Sequence, residues 1–138
     1  MITLAQYFGP HATCADRTPQ VDANATQLIG RVNPLLAEMQ LRDAVVCPVN
    51  PATGSLVSGQ TYGGFRPQAC TQGAANSAHK QGQAVDLYDF HGHIDAWIMR
   101  NPDALVRHDL YIEHPDATPG WCHVGTRAPK SGKRVFWP

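Results

Sequence analysis

Two residues in the middle of the chain, His79 and Asp86, have the types and the spacing of metal ligands. They are the strong ligands in the run Ser77-Ala78-His79-Lys80-Gln81-Gly82-Gln83-Ala84-Val85-Asp86. An imidazole nitrogen and a carboxylate oxygen together suit a zinc ion that also holds a water. Two ligands on one helical face would stand four positions apart, and these stand farther apart. The spacing favours a ligand on a loop, a turn at Gly82 and a second ligand on a strand.

The segment from Gln83 to Leu87 has the pattern of that strand. Ala84 and Asp86 share one face of it, and the apolar Val85 and Leu87 share the other. A carboxylate in such an apolar strand is costly unless it is paired with another group. A divalent cation would be such a partner.

The length and charge of the chain limit the kinds of protein it could be. Its 138 residues fit one domain, residues 1–138, and its 43% apolar content is ordinary for a globular protein. Eleven basic and eleven acidic residues give zero formal charge, which argues against a nucleic-acid partner. No apolar run has the roughly 20 residues of a membrane helix, so we expect no membrane insertion. The residues after Met1 do not resemble a secretory signal.

Hydrophobic periodicity predicts a helix from Asp22 to Leu41, with Asp22 as its N-cap. Pro34 inside that pattern predicts a kink, or two helices with Asn33 capping the second. Residues before about Gln20 are weakly patterned. The segment Leu56 to Tyr62 is a second strand or an irregular arm. The other predicted elements are a helix at 93–100 and strands at 44–49, 107–113, 121–124 and 134–137.

The four cysteines predict no metal site of their own. Cys14, Cys47, Cys70 and Cys122 contain no Cys-x-x-Cys pair, and we interpret them as unpaired thiols. On a strand, Cys122 would face the core and point away from His123. We interpret His91 and His93, on either side of a glycine, as surface residues.

The central run resembles the Ser-x-His-x-x-Gly-x-Ala-x-Asp signature of the zinc D-Ala-D-Ala metallopeptidases, which are grouped with lysostaphin-type peptidases and hedgehog domains. All five fixed positions match. Trp121-Cys122-His123 resembles the later Trp-x-His element of that family, and Gly63-Gly64-Phe65-Arg66 resembles its earlier aromatic-Arg element. The similarity extends from about Val45 to Val124, and the stretch from Pro51 to Gln60 is interpreted as an insertion.

This resemblance implies an α+β fold, with a small antiparallel sheet, flanking helices and a zinc ion in an open groove. It implies one zinc per chain, held by His79, Asp86 and His123. It also implies a general base shortly before the last histidine, which is Glu113, or Asp116 as the alternative. The remaining implied roles are substrate binding by Arg66, Ser77 and Trp121, with Arg66 also counted among the catalytic residues.

The implied function is hydrolysis of an amide bond in bacterial peptidoglycan stem peptides, by a carboxypeptidase or an endopeptidase. We expect a phage-type endolysin or a virion-associated wall hydrolase, with phage particle or tail proteins as possible partners. Such a protein is made in the cytoplasm and acts in the bacterial envelope or from a phage-like particle. Two other readings stay open, a hedgehog-like binding module without turnover and a structural zinc site. A structural site would need a fourth ligand, from Cys70, His91, His93 or His114.

Overall fold

The computed structural model describes residues 1–138 and contains four α-helices and one four-stranded sheet, which confirms the α+β class. The helices are α1 (Leu4–Phe8), α2 (Pro19–Asp43), α3 (His93–Arg100) and α4 (Asp103–Arg107). The strands are β1 (Ala84–Tyr88), β2 (Tyr111–Glu113), β3 (Trp121–Gly125) and β4 (Val135–Phe136). Short 3₁₀ turns occupy Gly9–His11, Ala78–Gln81 and Pro115–Ala117.

The sheet has the strand order β1-β3-β2-β4. Strand β3 pairs antiparallel with both β1 and β2, and its register with β1 sets Asp86 opposite His123. The edge strand β4 pairs parallel to β2, so the expectation of a purely antiparallel sheet is wrong at this edge. Alternation along β3 buries Cys122 and Val124 in the core and leaves His123 on the opposite face.

Helix α2 is longer than predicted and is one continuous helix. It begins after Thr18, whose side chain accepts a hydrogen bond from the Val21 N–H, rather than at Asp22. It continues through Pro34, so the two-helix alternative is wrong. Asn33 does not cap a second helix, because its side-chain amide pairs with the backbone N–H and C=O of Ile2.

The strand predicted at 44–49 is absent. Ala44 ends α2 in the left-handed conformation with φ of 51°, and residues 45–49 belong to no strand. Val46 and Val49 are exposed, so this run is apolar without a sheet to join. The free edge of β1 is occupied instead by residues 56–62. These residues form an irregular arm rather than a second strand, which confirms the alternative of an arm.

The arm from Asn50 to Tyr62 is held against β1 by a few main-chain contacts. Val57 forms an isolated bridge with Leu87, and the Ser58 N–H donates to the Asp86 carbonyl at 2.7 Å. The side chain of Asn50 donates to the carbonyls of Val57 and Gly59 and so fixes the bend of the arm. The arm therefore extends the sheet on the far side of β1.

The weakly patterned N-terminus contains α1, which sequence periodicity missed because the helix is only five residues long. Thr3 and Gln6 form a capping box at its start. Tyr7 and Phe8 are both almost fully buried, and the Tyr7 hydroxyl donates to the Ala84 carbonyl on β1. Helix α1 is thus part of the core beneath the sheet.

The C-terminal half follows the prediction with one correction. Helix α3 has the predicted bounds, but residues 107–110 are the end of α4 and a turn at Asp109, so β2 begins only at Tyr111. All four cysteines are free, as expected, and His91 and His93 are exposed. None of the helices combines the length and the apolar character needed to span a membrane.

Candidate metal centre

Three donor atoms converge at one point on the open face of the sheet. The Asp86 Oδ1 lies 2.8 Å from His123 Nδ1 and 3.3 Å from His79 Nε2, and the two nitrogens are 3.3 Å apart. Ligands held 2.0–2.1 Å from a tetrahedral zinc ion are separated by about 3.3 Å. Two edges of the triangle formed by His79, Asp86 and His123 match this spacing and the edge from Asp86 to His123 is shorter, so this group could hold a metal ion.

Each of these residues is placed by a different local feature. His79 lies in the 3₁₀ turn Ala78–Gln81, whose first N–H groups are capped by the Ser77 hydroxyl, which accepts from the His79 N–H. Asp86 lies on β1, and His123 lies directly opposite it on β3. The left-handed Gly82, with φ of 73°, turns the chain from the first ligand into the strand that carries the second.

Hydrogen bonds behind the ligands fix which atoms face the centre. The Nδ1 of His79 lies 2.7 Å from the Gly64 carbonyl, so this nitrogen donates and leaves the lone pair of Nε2 for a metal. The Oδ2 of Asp86 accepts from Arg66 Nη2 at 3.0 Å, which leaves Oδ1 to face the two histidines. Such outer partners are a regular feature of metal sites.

Gly63 and Gly64 bring the backbone close to other parts of the protein. An added Cβ would lie 1.8 Å from the Ser58 carbonyl oxygen at Gly63 and 1.9 Å from the Tyr7 carbonyl oxygen at Gly64. The Gly63 carbonyl accepts from the Asp86 N–H at 2.7 Å, and the Gly64 carbonyl accepts from His79. Both glycines thus hold a candidate ligand through a carbonyl, a role that their sequence pattern does not reveal.

The protonation states of the buried ligands suit a cation. Burial lowers the pKa of the His79 imidazole, which keeps it neutral and able to donate a lone pair. Burial would raise the pKa of the Asp86 carboxyl, but the adjacent His79 and His123 side chains outweigh that effect and hold this pKa below its ordinary value. Asp86 is therefore a carboxylate at neutral pH, and the donor set is two imidazoles and one anion.

The two candidate bases lie in different surroundings. Glu113, at the end of β2, lines the groove, and its Oε1 is 3.9 Å from His123 Nε2. The Asp116 side chain is 79% exposed, lies 3.7 Å from the His114 ring and does not line the groove. Of the two carboxylates, only Glu113 faces the space above the three ligands without belonging to them.

The groove above the ligands has a volume of about 520 Å³. Ser77 and Trp121 line it, together with Tyr111, Arg127 and Phe136. Arg66 lies at its edge with three of its N–H groups already used, by the Tyr62 carbonyl, the Gln72 carbonyl and Asp86. A guanidinium has five N–H groups, so two remain for another acceptor.

No fourth protein ligand joins the centre. The cluster of close donor atoms contains His79, Asp86 and His123 alone. His114 stacks on Trp137 with their rings 4.3 Å apart. Cys70, His91 and His93 are likewise absent from the cluster. Three protein ligands with an open position are typical of a catalytic site, whereas structural zinc sites usually have four.

The chain as a whole is thus an α+β protein with a candidate metal centre at the floor of an open groove. No family model, no curated protein and no solved structure matches it.

Proposed function

We propose that the protein is a zinc-dependent peptidase that hydrolyses an amide bond in bacterial peptidoglycan stem peptides. The observation that carries this proposal is the convergence of His79 Nε2, Asp86 Oδ1 and His123 Nδ1 within 3.3 Å of one another, beside the carboxylate of Glu113. The open groove, in this proposal, is the zinc groove of the D-Ala-D-Ala-peptidase and hedgehog group.

Zinc is the metal that this donor set favours. Two neutral imidazoles and one carboxylate form a common catalytic zinc set, and three ligands leave one position open. A zinc ion in such a site lowers the pKa of a bound water and polarises a carbonyl group. The Arg66 and Gly64 partners behind the ligands are consistent with a permanent site for one ion per chain.

The protein side chains would carry the proton and hold the substrate. Glu113 would accept a proton from the attacking water and return it to the leaving amine. Arg66 would use its two remaining N–H groups on a substrate carbonyl or carboxylate, since a planar guanidinium suits such oxygens. Trp121 would form a wall of the binding site, and Ser77, which also lines the groove, would contact substrate.

The choice of peptidoglycan as substrate rests on the motif resemblance. The same resemblance supports the proposal of a phage-type endolysin or a virion-associated wall hydrolase. In that setting the protein is made in the cytoplasm and acts in the bacterial envelope or as part of a phage-like particle, next to particle or tail proteins.

The Glu113→Gln variant tests the proposal because glutamine keeps the shape of glutamate but accepts no proton. We expect hydrolysis of purified muropeptides, measured by mass spectrometry, to fall by roughly 10²–10⁴-fold. Zinc measured by elemental analysis should stay at one per chain in this variant and should be lost in Asp86→Ala. Asp116→Asn is the matched control and should keep full activity.

Three results would contradict the proposal in different ways. Normal hydrolysis in Glu113→Gln with collapse in Asp116→Asn would move the base to Asp116. Full zinc in Asp86→Ala would refute the ligand set. Zinc and muropeptide binding without any hydrolysis by the unmodified protein would favour the hedgehog-like binding module.

A further inference from the structure

Arg127 is an arginine of the groove that has no acidic partner. It lies on the loop between β3 and β4 and lines the groove above the ligands. Six of the eight arginines form ion pairs with aspartate or glutamate side chains, namely Arg17, Arg31, Arg42, Arg66, Arg107 and Arg134. Arg100 and Arg127 form none, and of these two only Arg127 lines the groove. Its positive charge is therefore available to a molecule bound there.

The guanidinium of Arg127 is nevertheless held in place. Its Nη2 donates to the carbonyl of Asn76 at 2.8 Å, a contact between residues 51 positions apart. The N–H of Thr126 donates to the Gln83 carbonyl at 2.9 Å and so fixes the start of the loop. A guanidinium has five N–H groups, and the other four of Arg127 donate to no group of the protein. The side chain is thus positioned but has most of its donors free.

The Ser77 hydroxyl offers a second donor beside this guanidinium. The carbonyl that Arg127 contacts belongs to the peptide bond that joins Asn76 to Ser77. The Ser77 hydroxyl oxygen accepts from the His79 N–H, and its own proton is donated to no group of the protein. Ser77 also lines the groove, so this proton is available to a bound molecule. A guanidinium with a neighbouring hydroxyl suits the two oxygens of a carboxylate.

The charge along this side of the groove favours an anion. Residues 117–138 include two arginines, two lysines and no acidic residue. Lys130 and Lys133 are exposed and form no ion pair, and the ion pairs of the groove carboxylates do not involve Arg127. Positive charge that is not balanced by nearby carboxylates attracts anionic ligands to such a cleft.

On these grounds, and resting on the proposed peptidase function, we propose that Arg127 determines substrate specificity by binding a free carboxylate of the peptide, with the Ser77 hydroxyl as a second donor. The motif resemblance does not assign this role to Arg127, because the matching segment ends at about Val124. The carboxylate belongs either to an acidic residue within the peptide or to its C-terminus, since both present the same two oxygens.

The binding of three muropeptide probes tests this inference without requiring turnover. The probes share one sequence and differ in their carboxylates, which are all free, amidated within the peptide, or amidated at the C-terminus. Titration calorimetry with zinc-loaded Glu113→Gln protein measures the affinity for each probe. We expect amidation of the carboxylate that Arg127 binds to weaken binding roughly tenfold, as the loss of a charge-assisted hydrogen bond would cause. Amidation at the other position should have little effect.

Variants of Arg127 in the same protein assign the difference to its side chain. Arg127→Gln removes the charge and should abolish the difference between the probes, with zinc content unchanged. Arg127→Lys keeps the charge without the planar fork and should keep part of the difference. Arg100→Gln is the matched control and should keep all of it, because Arg100 is also exposed and unpaired but lies outside the groove.

The outcomes separate this inference from the proposed function. Equal affinity for the three probes, no binding of any probe, or an unchanged difference in Arg127→Gln would overturn the role of Arg127. A difference that depends on Arg127, in a chain whose unmodified form hydrolyses none of the probes, would support the carboxylate site and overturn the peptidase proposal.

Discussion

Replacing Gly64 with alanine should damage the metal centre without touching a metal ligand. The added Cβ would lie 1.9 Å from the Tyr7 carbonyl oxygen and 2.8 Å from its carbon, where real Cβ atoms stay beyond 3.0 Å. The obstacle is backbone, so the two segments must separate by about 1 Å. We expect this overpacking, with strain on the Phe65 N–H bond to the same carbonyl, to cost roughly 2–4 kcal/mol of unfolding free energy.

The same displacement reaches His79. Its Nδ1 is 2.7 Å from the Gly64 carbonyl, so a shift of about 1 Å stretches this contact beyond hydrogen-bonding distance. Loss of such an outer partner typically lowers metal affinity by roughly 10–100-fold. Competition for zinc with a chromogenic chelator would measure that loss, and urea denaturation would measure the stability.

Gly30→Ala is the matched control. Gly30 lies in the interior of α2, where an added Cβ meets nothing within 4 Å. Alanine should therefore stabilise the helix by about 1 kcal/mol and leave zinc affinity unchanged. If Gly64→Ala matched the unmodified protein in both stability and zinc affinity, the account of how Gly64 positions His79 would be refuted.

Two further predictions concern buried groups on the other face of the sheet. Cys122 is fully buried on the face of β3 opposite His123, and burial raises the pKa of its thiol. Cys122→Ala should therefore keep one zinc per chain and cost roughly 1–3 kcal/mol of stability. Loss of zinc in this variant would reverse the assignment of strand faces. Burial raises the pKa of the Asp95 carboxyl to about 6, and its Oδ1 has no hydrogen-bond partner. The folded state therefore binds the proton more tightly than the unfolded state, and stability falls as pH rises through this range. Asp95→Asn should remove that dependence. The free energy of unfolding of the variant, relative to that of the unmodified protein, should therefore increase by about 2 kcal/mol between pH 4 and 7. Urea denaturation that gave the same difference between the two proteins at both pH values would contradict this.

The parts of the site that sequence could predict are those defined by local pattern. His79 and Asp86 belong to one ten-residue run, and the alternation of β1 fixes which face carries the carboxylate. His123 was identified through the resemblance of Trp121-Cys122-His123 to the Trp-x-His element, and strand alternation placed it on the face opposite Cys122. Helix α3 was predicted with the observed bounds because its apolar spacing is strong and a following proline ends it.

The features that escaped prediction depend on contacts between distant parts of the chain. Tyr7 and Gly64 are far apart in sequence, so nothing near either residue indicates that the Tyr7 carbonyl packs against the Cα of Gly64. The β-branched run at 44–49 has the composition of a strand but reaches no free sheet edge, because the arm already covers β1. Strand composition predicts a strand only when a partner edge is available.

The role of Arg66 was predicted in part from the sequence and in part became evident only from its contacts in the fold. Sequence identified it as a group for gripping substrate oxygens, and the structure adds an ion pair with Asp86 that is largely buried on both sides. This pair offsets part of the desolvation cost of Asp86 and prevents its Oδ2 from turning toward the histidines. Imidazoles that bind a metal through their lone pairs are neutral, so with one carboxylate and one guanidinium the metal-binding ligand set and its partner would sum to no net charge. A divalent ion held there would keep most of its positive charge for the substrate carbonyl, and Glu113 would be a carboxylate in the groove that lies outside the ligand set.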